Sequence, residues 1–249
     1  MDMKKVLIVG ASSGLGYATA EALASRNVKV GVAARHTDRL EELKKKYPDY
    51  VEYAKIDITK EDAVEQLHRL IDRLGGMDIY FHVAGVLKEN PSLYPEREVE
   101  TLNTNVVGFA RMVSAAYRYF RDHGVKGQIA AITSVAGTKG IGRMSAYSAS
   151  KAFDQAYLVA LEQLANAEGV EVSFTDIRPG WVMTPLLEEG RKYPMAMQTE
   201  EVVPQIIKAI VRKRRVAVID CRWAALVALW RLLPNCLWTR LDIPVSTPR

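Results

Sequence analysis

Cysteine and histidine are scarce in this sequence. It has only two cysteines, Cys221 and Cys236, and its four histidines include no His-x-x-x-His pair. Such a chain offers neither a disulfide framework nor the closely spaced ligands of a zinc site. We therefore predict no metal site and take a reducing cytoplasm as the expected compartment.

Long apolar runs are also missing. The amino terminus has two lysines and a short apolar run that meets Gly10, which is too short for the core of a signal peptide. The apolar stretch 223–230 is too short to span a bilayer. The sequence has no repeat, low-complexity run or linker. We predict one catalytic domain over residues 1–220, followed by an apolar extension, 221–249.

The charge is mildly basic, with a net charge of +5 and a pI near 9.1. The basic runs 44–46 and 212–215 end helical patterns, where cations suit the helix dipole. No nucleic-acid recognition motif or interleaved aromatic residues accompany them. We predict no nucleic-acid partner, and attraction to an anionic cofactor or a membrane stays open.

What is present is a regular alternation of strands and helices. Short β-branched runs alternate with helical patterns, which predicts an α/β fold with a parallel sheet covered on both faces. The predicted strands are 4–9, 28–33, 50–55, 78–83, 127–133, 170–177 and 215–220. The predicted helices are 17–26, 37–47, 60–74, 96–123 with a break near 101–105, one from the Tyr147 region to 168, and 200–212 capped by Thr199.

A glycine-rich turn joins the first strand to the first helix. Glycines let the backbone approach a pyrophosphate, and the N–H groups of the first helical turn stabilise its charge. The spacing is Gly-x-x-x-Gly-x-Gly, and the alternative is a plain tight turn. We favour cofactor binding by Gly10, Ser12, Ser13, Gly14, Leu15 and Gly16.

The residues after the second strand bear on the choice of cofactor. An acidic residue there would bond the ribose 2′-hydroxyl of NAD. This chain has Ala34 and Arg35 instead. A guanidinium can bind a phosphate, so we predict NADP(H) over NAD(H), with Ser13 adding a hydrogen bond. The alternative is that Arg35 is a surface arginine that starts the next helix.

Other candidate residues follow the ends of later strands, where ligands bind in open α/β sheets. Asp57 and Ile58 follow the third strand; Asp57 could bond the adenine amino group or support the next helix. Ala84 and Gly85 follow the fourth strand, where small residues allow close passage beside a cofactor. Ser134 ends the fifth strand.

Tyr147 and Lys151 are four residues apart, which places them on one face of a helix. An ammonium beside a phenol favours the phenolate and lowers its pKa, so the pair could perform acid–base chemistry near neutrality. The spacing alone is weak, because Tyr-x-x-x-Lys also occurs on solvated helix faces.

Two later segments have less regular patterns. The irregular pattern of residues 185–198 predicts a mobile lid over the substrate. The stretch 223–230 is apolar on all sides, so a helix there must be buried. It could pack on the core or pocket, form a subunit interface, or lie on a membrane surface with Trp223, Trp230 and Trp238 as anchors.

Together these pieces resemble the short-chain dehydrogenase/reductase family in its single-domain branch. The motifs run in the family's order from residue 4 to residue 220, and no motif covers the tail. Asn105 matches the family's catalytic asparagine, and the sequence Tyr147-Ser-Ala-Ser-Lys151 its catalytic motif. The segment 179–184 matches the family's Pro-Gly-x-Val-x-Thr segment, which implies nicotinamide contacts from Pro179, Gly180, Val182 and Thr184.

The sequence departs from the family pattern at two places. Val9 replaces the usual threonine before the first glycine, and His82-Val83 replaces the usual paired asparagines. His82 could restore one lost hydrogen bond, a structural interpretation that we favour over a proton relay.

The resemblance implies a Rossmann fold with a doubly wound, seven-stranded parallel sheet. It also implies hydride transfer between NADP(H) and a carbonyl or secondary alcohol. Tyr147 would be the general acid/base, with Lys151, Ser134 and Asn105 assisting. Tyr147 and Lys151 would also bind cofactor. The alternatives are a weakly active NADP-binding scaffold or sensor, and a membrane-surface reductase of lipid-like ketones. We expect an apolar small-molecule substrate and a homodimer or homotetramer.

Overall fold

A sheet of seven parallel strands forms the centre of the computed structural model, which describes residues 5–187, 190–243, 245 and 247–248. The strands are short apolar runs with few exposed positions, as expected where both faces of a sheet are covered. They are β1 (Lys5–Val9), β2 (Lys29–Ala34), β3 (Val51–Lys55), β4 (Ile79–His82), β5 (Gly127–Ile132), β6 (Val172–Arg178) and β10 (Val216–Val218).

The strand order is β10-β6-β5-β4-β1-β2-β3, and every pairing in this sheet is parallel. The chain moves outward from β1 to β3, then returns to the other side of β1 to form β4. This reversal leaves a crevice at the carboxyl ends of β1 and β4, where doubly wound folds bind their ligands. The predicted Rossmann fold is confirmed.

Helices cover both faces of the sheet, and each face has its own apolar cluster. On the helix Ala63–Leu74, for example, the buried residues Leu67, Leu70, Ile71 and Leu74 form one stripe at helical spacing. The helices are α1 (Gly14–Ala24), α2 (Asp38–Lys46), α3 (Ala63–Leu74), α4 (Pro95–Leu102), α5 (Phe109–His123), α6 (Ser145–Glu168), α7 (Thr199–Val211), α8 (Cys221–Leu232) and α9 (Asn235–Trp238).

The long segment predicted as one interrupted helix is interrupted as expected. A π-helical turn, Asn103–Gly108, separates α4 from α5. Asparagine is a poor helix former, and π-turns inside helices often occur at functional sites. The turn contains Asn105, which is 1% exposed.

Several predicted boundaries differ from the structure. Thr199 is the first residue of α7 rather than its cap; Gln198 precedes the helix, and its backbone N–H donates to Glu201 at 3.0 Å. The last strand of the main sheet is only Val216–Val218. The first begins at Lys5, and Lys4 lies outside the described residues.

The predicted lid segment contains short paired strands. β7 (Val182–Met183) pairs with β9 (Met197–Gln198), and β8 (Arg191–Lys192) pairs antiparallel with β11 (Thr247–Pro248) near the end of the chain. Residues 188–189, within this segment, lie outside the described residues.

The tail packs one side of α8 against the rest of the molecule. Trp223, Val227 and Trp230 are buried, whereas Leu229 and Leu232 are 65% and 79% exposed. One side of this apolar helix is thus buried within the protein itself, the first of the three burials that the sequence left open. No described helix is long and apolar enough to cross a membrane.

Candidate active site

A pocket of about 890 Å³ lies at the carboxyl ends of the strands. It runs from the glycine-rich turn to the C-terminal tail, so both halves of the sheet and the tail contribute to one cavity. The predicted site residues that line it are Gly10, Ser12, Ser13, Gly14, Leu15, Arg35, Asp57, Ile58, Ala84, Gly85, Ser134, Tyr147, Pro179, Gly180, Val182 and Thr184. Gly16, Asn105 and Lys151 are not among the lining residues.

The glycine-rich turn needs its glycines for close backbone packing. Gly10 has a φ of +93°, and a Cβ atom there would lie 2.3 Å from the backbone nitrogen of Ala84. A Cβ on Gly16 would lie 2.1 Å from the carbonyl oxygen of Gly10. These contacts hold the start of α1 tightly against the turn. The turn therefore has the shape that a pyrophosphate group requires at a helix N-terminus.

Arg35 lies at the end of β2, on the rim of the pocket. It is exposed, whereas Ala34 beside it is 6% exposed. Among the described side chains, no carboxylate forms an ion pair with Arg35. The neighbouring Arg39 stacks on the Tyr17 ring, with its guanidinium carbon 4.0 Å from the ring centre. Arg35 is thus the arginine placed to meet a ligand at this rim.

Asp57 faces the same end of the pocket. Its Oδ1 accepts hydrogen bonds from the backbone N–H and the hydroxyl of Thr59, at 3.0 and 2.8 Å. Partial burial opposes ionisation, but these bonds and the charge of Arg35 hold the pKa of Asp57 below its ordinary value. Since α3 begins only at Ala63, the alternative that Asp57 supports that helix is wrong.

Tyr147 and Lys151 lie on the first turns of α6, beside the pocket. The Lys151 ammonium is 6.0 Å from the centre of the Tyr147 ring. Its Nζ donates to the carbonyl oxygen of Ile132 at 3.1 Å. Burial opposes the charge, but Asp154 and Tyr147 beside it hold the pKa of Lys151 above its ordinary value. A cation is therefore fixed close to the phenol, as acid–base chemistry by Tyr147 requires.

Asp154 is a member of this cluster that the sequence analysis missed. Its Oδ2 accepts from Lys151 Nζ at 2.9 Å, and the residue is 0% exposed. Burial raises the pKa of Asp154 to about 6, against the attraction of the ammonium. The signal was present in the sequence, because residues three apart share a helix face. Asp154, which is not among the lining residues of the pocket, thus holds Lys151 in place.

Ser134 lies at the end of β5, in the wall of the pocket. Its hydroxyl oxygen accepts from the backbone N–H of Ala136 at 3.1 Å and is 3.4 Å from the carbonyl oxygen of Pro179. Gln155 of α6 donates to the backbone carbonyl of Ser134 at 2.7 Å. The serine that the sequence singled out is thus held between α6 and the 179–184 segment.

Asn105 lies behind the wall rather than in it. Its side chain accepts from the Val86 N–H and donates to the Val86 carbonyl, both at 2.8 Å, and donates to Ser150 at 3.1 Å. The amide therefore ties the π-helical turn to the loop after β4 and to α6. The catalytic role that the resemblance implies for Asn105 remains a prediction.

His82 is fully buried beneath the site. Its Nδ1 lies 2.8 Å from the Tyr80 hydroxyl, and its ring meets Phe109 edge-on at 4.9 Å. Burial, followed by the charge of Lys151, lowers the pKa of His82 to about 3. These contacts agree with the structural role that we favoured for this replacement.

The 179–184 segment crosses from the serine to the glycine-rich turn. At one end, the Val135 N–H donates to the Pro179 carbonyl at 3.1 Å. At the other end, a Cβ on Gly14 would lie 3.2 Å from the Thr184 side chain. The segment thus spans the pocket beside the glycine-rich turn, as the resemblance implies.

The comparisons with known proteins agree with this geometry. The short chain dehydrogenase family model matches residues 4–194, more than three quarters of the chain. The chain belongs to the short-chain dehydrogenase/reductase family. It is therefore an oxidoreductase of a family that uses a nicotinamide cofactor and acts on CH–OH or C=O groups.

Relatives and solved structures extend the match beyond that region. The chain is 33% identical to an uncharacterized oxidoreductase of Myxococcus xanthus, covering 96% of each chain. It is 31% identical over 197 residues to farnesol dehydrogenase of Aedes aegypti, covering 75% of this chain and 80% of the relative. An NADP complex of a short chain dehydrogenase from Burkholderia cenocepacia shares the fold, with a TM-score of 0.82, 22% identity, and coverage of 98% and 100% of the two chains.

Proposed function

We propose that this enzyme uses NADP(H) to interconvert a carbonyl compound and a secondary alcohol, with Tyr147 as the general acid/base. The observation that carries the proposal is one pocket that joins the glycine-rich turn to Tyr147 and Ser134. In this pocket a cofactor on the turn and a substrate at the tyrosine can meet. The bound cofactor supplies or accepts the hydride.

Each polar residue of the cluster has a role that its contacts support. Tyr147 donates a proton to the carbonyl oxygen in reduction and removes it in oxidation. Ser134 hydrogen-bonds that oxygen and fixes its position. Lys151, held by Asp154 and the Ile132 carbonyl, keeps a positive charge beside the Tyr147 ring and can bond the cofactor ribose. Asn105 braces the loop after β4.

Replacing Tyr147 with phenylalanine tests the assignment. We expect Y147F to keep its fold and its affinity for NADPH and to lose at least about 10²-fold in kcat, because general acid–base catalysis contributes about 10²–10⁴-fold. The measurement is NADPH oxidation with a panel of ketones and aldehydes. Tyr157, on the same helix but outside the pocket, gives the matched control Y157F, which should turn over normally. Near-normal turnover by Y147F would reject the role of Tyr147.

The preference for NADP(H) rests on Arg35. The residue directly after β2 is Arg35 rather than an acidic residue, and its exposed guanidinium at the pocket rim can bind a phosphate. Among the solved structures, the Thermococcus sibiricus alcohol dehydrogenase complexed with 5-hydroxy-NADP is 27% identical, with a TM-score of 0.72 over 88% of this chain and 95% of that one.

The cofactor test compares two arginines. We expect R35L to raise the KM for NADPH at least about tenfold and to leave the KM for NADH nearly unchanged, since only NADPH carries the 2′-phosphate. R39L, which removes an arginine stacked on Tyr17, should leave the NADPH/NADH ratio unchanged. Equal effects of R35L on both cofactors would contradict the assignment. Binding of neither cofactor by the wild type would favour the scaffold alternative.

We also propose a homo-oligomer assembled through α4, α5 and α6. The support is a set of apolar side chains that α4, α6 and the π-helical turn before α5 leave exposed: Val99, Leu102, Val107, Val159 and Leu164. A cytoplasmic location, contact between the tail and a membrane, and the division of the chain at residue 220 stay predictions.

A further inference from the structure

The C-terminal tail forms a wall of the pocket beyond the region that the family model matches. Side chains from α8, α9 and the irregular segment after α9, which supplies Leu241, Ile243 and Val245, line the cavity. Val245 is 2% exposed and shares an apolar cluster with Tyr147, Met144 and Ile141. The tail therefore reaches the proposed acid/base itself.

Three tryptophans fix this wall, and each already has a partner for its indole N–H. Trp223 Nε1 donates to the Met195 carbonyl at 3.3 Å. Trp230 Nε1 donates to Thr138 at 2.8 Å, and Trp238 Nε1 donates to the Gly140 carbonyl at 2.7 Å. With these donors satisfied within the protein, the indoles offer a ligand chiefly their hydrocarbon surface.

At the end of the pocket formed by the tail, the described lining residues carry no charge. The ionisable lining residues besides Tyr147 are Arg35, His36 and Asp57, which belong to the adenosine end. The nearby cations Lys139 and Arg143 bond the tail: Lys139 donates to the Leu233 carbonyl at 2.8 Å, and Arg143 pairs with Asp242 at 3.3 Å. A carboxylate or phosphate on the substrate would find no described partner here, and burying an unpaired charge is strongly unfavourable.

We propose that the substrate is a neutral carbonyl compound, or the matching alcohol, whose body is an extended hydrocarbon chain, and that the tail binds this chain. The inference rests on the proposed function for the chemistry at Tyr147. It goes beyond the proposed function because it names the tail as the element that recognises the substrate. It also assigns the substrate an uncharged, extended apolar body. The described lining at this end includes Ile141, Met144, Trp181, Leu226, Leu233 and Val245.

A series of straight-chain 2-alkanones tests the inference with the full-length protein and NADPH. Each added methylene should raise kcat/KM about two- to fourfold until the pocket is filled, the upper figure corresponding to about 0.8 kcal/mol per buried CH₂. Keto acids of equal length, with a terminal carboxylate, should react at least about 100-fold less efficiently. A flat series, or equal use of the keto acids, would overturn the proposal.

Two leucines on α8 provide matched variants. Leu226 lines the pocket, whereas Leu232 does not line it and is 79% exposed. We expect L226A to reduce the chain-length dependence and L232A to leave it unchanged, with thermal unfolding and NADPH affinity confirming that both variants fold. If both variants keep the full dependence on chain length, or if both lose it equally, the tail is not the recognition element.

Binding without turnover separates this inference from the proposed function. Protein saturated with NADP⁺ cannot reduce a ketone, so calorimetric titration with the same ketones reports recognition alone. Affinity that rises with chain length supports the inference even if no ketone is reduced, and that pattern would reject only the proposed reaction. If ketones are reduced but their affinity for the protein does not change with chain length, only the inference is rejected.

Discussion

His82 shows how one buried side chain can shape the response of the protein to acid. Its ring is enclosed and its pKa lowered to about 3, so the folded protein keeps it neutral. An unfolded chain would protonate it near its ordinary pKa of about 6.5. Between these values the unfolded state binds the extra proton. The contribution of His82 to stability is therefore lost progressively as the pH falls below about 6.5.

Replacing His82 with asparagine should remove this dependence. As the pH falls from 6.5 towards 4, we expect the wild type to lose stability relative to H82N, at a slope approaching about 1.4 kcal/mol per pH unit. Urea unfolding at several pH values measures the difference. The control is H68N, at an exposed position of α3. If wild type and H82N show parallel stability curves, the buried neutral imidazole is not the cause.

At this scale the sequence located the main polar residues of the site but not all of their partners. Tyr147 and Lys151 were found because a motif places them at fixed spacing, and Ser134 was found because it follows the fifth strand. Asp154 was missed because three-residue spacing allows a contact with Lys151 without showing that a carboxylate is buried there. Burial depends on packing between α6 and the sheet, which no local pattern contains.

At the scale of elements, Gly180 shows how a small residue seats the tail. A Cβ atom at Gly180 would lie 2.0 Å from the Trp223 ring. The glycine that the resemblance assigns to the nicotinamide also leaves space for α8. Sequence alone left three burials open for the tail, because composition does not say which surface an apolar helix meets.

Replacing Gly180 with alanine should therefore displace Trp223 and loosen the tail. We expect a loss of about 1–3 kcal/mol in stability, typical of overpacking, and faster proteolysis after residue 220. Thermal unfolding and limited proteolysis measure both effects. Gly142 offers the control, because a Cβ there meets nothing within 4 Å. A tail that is equally protected in G180A and G142A would contradict this account.

Predictions of elements succeeded where periodicity was long and failed at their ends. The parallel strands and the break after α4 follow from apolar patterns and from asparagine's weak helix propensity. The cap of α7 was assigned to Thr199 by residue type, but the backbone turns one residue earlier and Thr199 instead donates to the Met183 carbonyl. Of the two short strands within 185–198, β8 needs a partner, β11, that lies about fifty residues away, so a local pattern could not show it.

At the scale of the whole molecule, exposed valines mark the surface proposed for assembly. Val107 in the π-helical turn is 48% exposed, and Val159 on α6 is 50% exposed. We expect V159E to shift an oligomer towards the monomer, because a buried unpaired carboxylate disfavours an interface. Mass photometry and size-exclusion chromatography measure the shift, with V216E on the outer strand β10 as control. An unchanged mass for V159E would place the interface elsewhere.

The tryptophans give the enzyme an optical property of its own. All four in the chain, Trp181, Trp223, Trp230 and Trp238, line the pocket. Their ultraviolet emission therefore originates beside the place proposed for the nicotinamide, and reduced nicotinamide absorbs light at the wavelengths that indole emits. Excitation of the unlabelled protein should consequently report cofactor arrival by energy transfer, and movement of the tail by a change in emission colour.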